Sequence, residues 1–185
     1  MHQIQLEDIS KRFTISQRPK GKHSAFKNLF HREKRTVEAL KHISFTIEEG
    51  ELVGYIGPNG AGKSTTVKVM SGILTPEEGN CSILGRTPWK ERTAHVANIG
   101  VVFGQRSQLW WDVPARDSFE LLRDIYGIPR ARYTERLREL SKALELAPLL
   151  SVPVRQLSLG QRMRCEAAAA LLHSLRALRS CAFPF

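Results

Sequence analysis

The chain has 185 residues, 42% hydrophobic and 25% charged, which is long and apolar enough for a folded core and excludes a disordered polymer. Its apolar runs are too short to cross a bilayer, its N-terminus lacks the order of a signal peptide, and its three cysteines and six histidines are scattered. We therefore expect a cytosolic protein without disulfides or a histidine-cysteine metal centre, and its net charge of +10 is the unusual number.

Five segments of the first 103 residues have the patterns of strands. Residues 2–8 and 42–48 alternate apolar and polar side chains, which is typical of half-exposed strands. Residues 52–56 are an apolar run of buried-strand type, and we expect them in a mainly parallel sheet. Residues 81–84 and 99–103 are also strand-like, so the pattern predicts a mixed α/β fold once helices follow.

A basic block lies between the first two predicted strands. Residues 18–35 hold seven Lys and Arg against Glu33 alone, a net charge of +6. Three apolar residues within the block share one face of a possible short helix: Phe26, Leu29 and Phe30. Such a block suits an anionic lipid surface or nucleic acid, and it equally suits a solvated loop.

The most specific motif of the chain follows the apolar run 52–56. It matches the phosphate-loop pattern G-x-x-x-x-G-K-[ST] with Gly57, Pro58, Asn59, Gly60, Ala61, Gly62, Lys63, Ser64 and Thr65. The three glycines allow positive φ angles and close approach of the backbone to a ligand. The loop N–H groups converge on an anion at a helix start, where Lys63 reaches the β- and γ-phosphates and the Ser64 hydroxyl suits Mg²⁺. The motif predicts binding of a nucleoside triphosphate.

The second half of the chain is predominantly helical. From Pro114 onward, apolar residues recur at helical spacing to about residue 150. Residues 157–164 then precede an alanine-rich helix, with Ser158 followed closely by Gly160. A serine and a glycine at a helix start offer an anion a hydroxyl group and free N–H groups.

With these motifs, residues 2–173 resemble the ATP-binding subunits of ABC transporters. The stretch Leu157 to Gln161 is similar to the family's signature motif, although Leu159 stands where many members have glycine. Gln105 corresponds to the glutamine of the Q-loop, and Phe13 to the aromatic residue that stacks on adenine. The resemblance implies a RecA-like P-loop NTPase core with an N-terminal antiparallel β subdomain and an inserted helical subdomain at about 106–160.

The resemblance also implies a mechanism. Two such domains face each other head to tail, and each ATP lies between the phosphate loop of one and Ser158, Gly160 and Gln161 of the other. The resemblance implies ATP and Mg²⁺ as cofactors, and we expect Ser64 and Gln105 to hold the metal ion.

Residues 101–112, with Trp110 and Trp111, resemble a bacterial exporter subgroup whose permeases are separate chains. The two tryptophans and the helical region 114–150 would face these integral-membrane permeases, although core packing is the better expectation for one of the two. This implies a peripheral protein at the inner face of the membrane, with no specific nucleic-acid partner. The permease sets the transported substrate.

Parts of the family pattern do not occur in this sequence. The family continues with a strand ending in Asp-Glu (Walker B and the catalytic Glu) and a switch histidine, whereas the last acidic residue here is Glu166 and His173 belongs to the signature helix. Residues 174–185 resemble an altered frame or a truncation. We therefore expect ATP binding without hydrolysis. We also expect an unstable chain, because the strand next to the missing one in the sheet keeps unpaired N–H and C=O groups.

Three readings stay open: a transporter ATPase subunit active only at full length, an ABC ATPase not linked to transport, and an inert or regulatory nucleotide-binding fragment.

Overall fold

The computed structural model describes residues 2–17, 33–103 and 107–173, and its contacts divide the chain into two compact units between Arg92 and Thr93. The helix predicted within the basic block, the Q-loop residue Gln105 and the tail 174–185 lie outside the described residues.

The N-terminal unit contains a three-stranded antiparallel sheet. Strand β1, His2–Gln17, lies in the middle, between β2, Glu33–Glu48, and β3, Glu78–Ile83. All pairs are antiparallel. The strands predicted from alternation at 2–8 and 42–48 are confirmed and are longer than predicted, and the strand predicted at 81–84 is confirmed as part of β3.

The core of the N-terminal unit is formed by apolar residues of this sheet and of one helix, α1, Lys63–Met70. The alternation along each strand explains why only every second residue is buried. The buried apolar side chains of the unit are Leu6, Ile9, Leu40, Ile47, Val69, Cys81 and Ile83. Because α1 buries only Thr66 and Val69, most of its remaining surface is free to carry a site.

A bulge in β2 shapes the surface next to α1. Lys11 pairs with Leu40 and Arg12 with Glu38, so Ala39 is the extra residue on β2. A bulge bends the strand and takes one residue out of the regular ladder. The bulged residue Ala39 lies next to Gly62, the residue that immediately precedes α1.

Two predicted strands are absent from the structure. Residues 51–58 form no strand, and the side chains of Leu52 and Ile56 are 78% and 82% exposed. Residues 99–102 also form no strand, and Phe103 is only an isolated bridge residue. A strand needs a neighbour for its N–H and C=O groups, and the described ranges supply none to either run. The prediction of buried parallel strands at 52–56 and 99–103 is therefore wrong for this structure.

The second unit is built from helices, as the periodicity from Pro114 onward predicted. They are α2, Arg92–Val96; α3, Ala115–Ile125; α4, Arg130–Ala143; a short 3-10 helix, Val154–Gln156; and α5, Leu159–Leu172. Proline precedes α3, α4 and the 3-10 helix, a position where its fixed φ suits a helix start. No helix within the described ranges has the length and hydropathy needed to cross a lipid bilayer.

The core of the second unit collects the apolar faces of α3, α4 and α5. Its buried side chains are Leu109, Ala115, Phe119, Leu122, Tyr133, Leu140, Leu146, Leu149, Val154, Cys165, Ala168, Ala169 and Leu172. The small alanines of α5 let neighbouring backbone approach closely. Neither tryptophan of the predicted pair belongs to this core, since Trp110 is 42% and Trp111 is 51% exposed. The expectation that one of them packs inside is wrong.

Candidate phosphate-binding site

The predicted phosphate loop leads directly into α1. Gly62 is the N-cap residue and has φ 83°, and its carbonyl oxygen accepts from the Thr66 backbone N–H at 2.8 Å and from the Thr66 hydroxyl at 3.2 Å. Within the loop, the Ala61 N–H donates to the Pro58 carbonyl at 3.2 Å. These bonds fix a tight turn at the start of the helix.

At Gly62 a close approach of neighbouring atoms and a left-handed φ both require glycine. A Cβ there would lie 2.5 Å from the Ala39 carbonyl oxygen and 2.6 Å from Leu40 Cδ2, on top of a left-handed φ. The bulge at Ala39 thus sets how closely the loop approaches β2. Positive φ is also present at Gly60, as predicted, but not at Gly57, where that prediction is wrong.

The start of α1 has the electrostatics of an anion site. No side chain caps it, and its first turn has no acidic residue. Because an α-helix leaves its first N–H groups without intrahelical acceptors, the amides of Lys63, Ser64 and Thr65 face an incoming anion with the positive end of the helix dipole. The Lys63 ammonium donates to the carbonyl oxygens of Gly57 and Pro58, the latter at 2.9 Å, and so lies over the loop.

The remaining loop residues leave the site open to solvent. Asn59, Gly60, Ala61 and Ser64 are exposed. The described residues contain no cluster of three or more His, Cys, Asp or Glu that could hold a metal ion. The Ser64 hydroxyl, together with phosphate oxygens, is a type of donor set that Mg²⁺ accepts.

Phe13 belongs to the same unit as the loop. It pairs with Val37 across the hairpin, and the Lys11 ammonium is 5.8 Å from its ring centroid. Val37 lies three residues along β2 from Leu40, the neighbour of Gly62, or about 10 Å at the usual strand rise. The Phe13 ring is partly exposed and offers an apolar face on the strand pair that supports the loop.

The signature-like sequence begins α5 in the second unit. Ser158 is the N-cap residue, its hydroxyl oxygen accepts from the Gln161 N–H at 3.3 Å, and the Gln161 side chain accepts from the Ser158 N–H at 2.8 Å. This capping box takes up an amide that the sequence predicted to be free. Gly160 is exposed, and a Cβ there would meet nothing within 4 Å. Internal packing therefore does not explain this glycine.

The structure adds one residue that the sequence did not single out. Glu166 of α5 is only 3% exposed, and its carboxylate accepts from the Ser107 hydroxyl and, at 3.1 Å, from the Gln108 N–H. The one sequence feature that could have drawn attention to Glu166 is its place directly before a run of four alanines. Its partners lie 59 and 58 residues away along the chain, so no local pattern could have found them.

His173, which the sequence analysis assigned to the signature helix, is the C-cap residue of α5. Its Nε2 is 2.9 Å from the Ile99 carbonyl oxygen, and its ring stacks on Tyr126 with centroids 3.8 Å apart. Burial lowers the pKa of His173 below the ordinary value of 6.5, while hydrogen bonds to backbone carbonyls oppose the shift. This histidine fastens the end of α5 and is bound within its own unit.

A phosphate loop at the start of a helix, in a mixed α/β chain, defines a P-loop NTPase. Comparison with known proteins narrows the class. A family model described as ABC transporter matches residues 40–178, so the chain belongs to the ABC transporter family.

The chain is 32% identical over 144 residues to the ABC transporter ATP-binding protein NatA of Bacillus subtilis, covering 78% of this chain and 58% of NatA. It is 33% identical over 138 residues to the energy-coupling factor transporter ATP-binding protein EcfA1 of Geobacillus kaustophilus, covering 72% of this chain and 48% of that protein. The chain thus spans about half of the curated relatives' length.

Solved structures agree on the fold. A dimeric structure of MJ0796, a bacterial ABC transporter cassette, superposes with a TM-score of 0.69 at 27% identity, covering 92% of this chain and 69% of that one. A post-hydrolysis structure of the same cassette, bound to ADP and Pi, gives a TM-score of 0.70.

Proposed function

We propose that this chain binds MgATP at residues 57–65 and serves as the energising subunit of an ABC-type export system. The observation that carries the proposal is the start of α1. Within the described ranges no side chain caps this helix start, its first turn contains no acidic residue, and the Lys63 ammonium lies over the loop. Phosphate oxygens are better acceptors for that ammonium than neutral loop carbonyls, because the resulting hydrogen bonds are charge-assisted on both sides.

Different residues of the first unit contact the phosphates, the metal ion and the base of the nucleotide. The amides at 63–65 and the Lys63 ammonium hold the β- and γ-phosphates, and the Ser64 hydroxyl holds Mg²⁺, which neutralises phosphate charge when bound. The ring of Phe13 stacks on the adenine base. Gln105, which lies outside the described residues, is proposed as a further metal or water contact.

We further propose a head-to-tail homodimer in which Ser158, Gly160 and Gln161 contact the γ-phosphate held by the partner. The Ser158 hydroxyl accepts from Gln161 and keeps its own hydrogen to donate. Gly160 leaves open space for a phosphate, at a position where alanine would be the better helix former. The dimeric structure of the similar cassette MJ0796 supports this arrangement.

The permease partner is proposed from exposed apolar residues of the second unit. Trp110, Trp111, Leu121 and Ile125 are all exposed. Large apolar side chains at a surface are typical of protein contacts. An integral-membrane permease that receives these residues would hold the chain at the inner face of the membrane.

For the 185 residues by themselves we propose binding without turnover, which makes a regulatory nucleotide-binding role the second candidate. No acidic residue follows Glu166 in the sequence, and the Glu166 carboxylate is buried and already accepts from Ser107 and Gln108. It is therefore not available to orient an attacking water.

Titration calorimetry with MgATP tests the binding proposal. Replacing Lys63 with alanine should weaken binding about 10- to 100-fold, because a charge-assisted phosphate contact is lost. The matched control is Lys68→Ala, an exposed lysine in the last turn of the same helix, which should bind like the unmodified chain. Equal affinity of the Lys63→Ala variant would overturn the proposed site.

Phosphate release tests the turnover proposal separately. The unmodified chain should release phosphate from ATP no faster than the Lys63→Ala variant does. Phosphate release that depends on Lys63 would show that another group orients the attacking water in place of the missing carboxylate.

A further inference from the structure

Glu166 is an unusual residue for its surroundings. It is buried on α5 beside Cys165, Ala168, Ala169 and Ala170, and within the described ranges its hydrogen-bond partners include no cation. Burying a carboxylate is costly unless its oxygens are fully hydrogen-bonded, and an alanine or leucine would pack there without that cost. Packing alone therefore does not account for a glutamate at this position.

Among the residues that the structure describes, the hydrogen bonds of Glu166 go to one short segment. Its carboxylate accepts from the Ser107 hydroxyl and the Gln108 N–H, and the Ser107 oxygen also lies 3.1 Å from the Leu109 N–H. Leu109 is itself part of the buried core. One side chain of α5 thus fixes three consecutive residues of a stretch that has no helix or strand of its own.

A second residue of α5 contacts the same segment one turn earlier. The Arg162 guanidinium lies 5.6 Å from the Trp111 ring centroid, within cation–π range. Residues 162 and 166 are four apart and share one helix face. Arg162 also belongs to the signature turn, since its N–H donates to the Ser158 carbonyl at 2.8 Å.

The backbone of the two tryptophans is anchored as well. The Trp110 N–H donates to the buried Ser118 hydroxyl at 3.1 Å, and the Trp111 carbonyl accepts from the Arg155 N–H at 3.0 Å. The rings nevertheless remain about half exposed. The segment therefore presents two fixed aromatic side chains at the surface, whereas an unsupported loop would present mobile ones.

We propose that Glu166 is a positioning residue: together with Arg162 it holds residues 107–111 on one face of α5, so that Trp110 and Trp111 keep a fixed place relative to the signature turn of the same helix. The role of the tryptophans as a docking surface rests on the proposed function, but the clamp itself does not. A partner that displaces the tryptophans would move the Ser158 turn with them, because both are attached to one helix.

Hydrogen–deuterium exchange of the full chain without nucleotide tests the clamp. In the Glu166→Gln variant, the amides of residues 107–111 should exchange about tenfold faster, since a hydrogen bond to a charged acceptor becomes a neutral one. The amides of α3 should keep their rates. The control is Glu145→Gln, which neutralises an exposed carboxylate paired with Arg164 and should leave 107–111 unchanged.

A spectroscopic readout separates positioning from general stability. In a Trp89→Phe background, the emission of Trp110 and Trp111 should shift to the red in Glu166→Gln, because the rings gain contact with water. Faster exchange across all helices with no local excess at 107–111, or an unchanged emission maximum, would overturn the proposal.

A second variant keeps the test open if Glu166→Gln does not fold. Ser107→Ala removes the hydroxyl donor and should reproduce the local exchange and the red shift, while Ser107→Thr keeps the hydroxyl and should restore both. Unchanged exchange in Ser107→Ala would contradict the clamp. Since no nucleotide is present, a failure of ATP binding at Lys63 would leave this result untouched.

Discussion

The helix start of α1 in the first unit and the helix start of α5 in the second unit treat their first backbone amides differently. At α1, Gly62 supplies no side chain, the first turn has no acidic residue, and no side chain of the described residues caps the first amides. At α5, Ser158 and Gln161 satisfy each other's backbone N–H groups in a complete capping box. Both sequences contain a glycine and a hydroxyl residue, yet the capping box of α5 leaves fewer amides to a ligand than the uncapped start of α1 does.

This difference predicts different roles in anion binding for the N-termini of α1 and α5. An anion that reaches α1 meets several unpaired N–H groups, the helix dipole and the Lys63 charge together. An anion that reaches α5 meets a helix end that is already stable without it. We therefore expect α1 to bind the phosphates of an isolated chain and α5 to add contacts only after α1 has done so.

The largest expected effect separates the two glycines. Gly62→Ala forces a left-handed φ on alanine and places its Cβ 2.5 Å from the Ala39 carbonyl oxygen, so the free energy of unfolding should fall by at least about 2 kcal/mol. In Gly160→Ala the added Cβ has open space within a helix, so the free energy of unfolding should rise by about 0.5–1 kcal/mol. Urea denaturation of both variants measures these changes. Equal losses in the two variants would contradict the comparison.

The next effect separates the two serines. Ser158→Ala removes the capping box and should cost about 1 kcal/mol of unfolding free energy. Ser64→Ala in the first turn of α1 removes no cap and should stay within about 0.5 kcal/mol of the unmodified chain. The same denaturation series checks both, with exposed Ser151→Ala as a surface control. A Ser64→Ala variant as destabilised as Ser158→Ala would mean that α1 is capped after all.

The smallest effect concerns the far end of α5. Burial lowers the pKa of His173, so the unfolded chain binds a proton that the folded chain resists. This contribution to stability is complete above the unfolded pKa near 6.5 and is lost as the pH falls below it. The urea midpoint should therefore drop between pH 7 and pH 5.5, and the drop should shrink in His173→Phe, which keeps a ring against Tyr126. An identical pH profile in the variant would exclude His173 as the cause.

Local chemistry made part of this site predictable. The phosphate loop and its helix follow from the order of glycines, Lys63 and Ser64, and the Ser158 to Gln161 spacing is that of a capping box. The alternation near the N-terminus predicted β1 and β2 because one face of that sheet is buried.

Other features depend on distant parts of the chain and could not be predicted. Residues 52–56 have the composition of a buried strand, but Leu52 and Ile56 are exposed since no neighbouring strand pairs with them in the described ranges. The Glu166 contact with Ser107 and the bulge at Ala39 that fits Gly62 are long-range packing. A residue's type does not reveal which distant backbone it meets.

Hydrogen–deuterium exchange with and without MgATP tests the central claim most directly, at a concentration where sedimentation shows a monomer. Residues 57–66 should become protected while residues 158–162 keep their exchange rates, and the Lys63→Ala variant should lose the protection at the same nucleotide concentration. Protection of 158–162 without protection of 57–66 would contradict the account, because it would place the phosphates at α5 and not at α1.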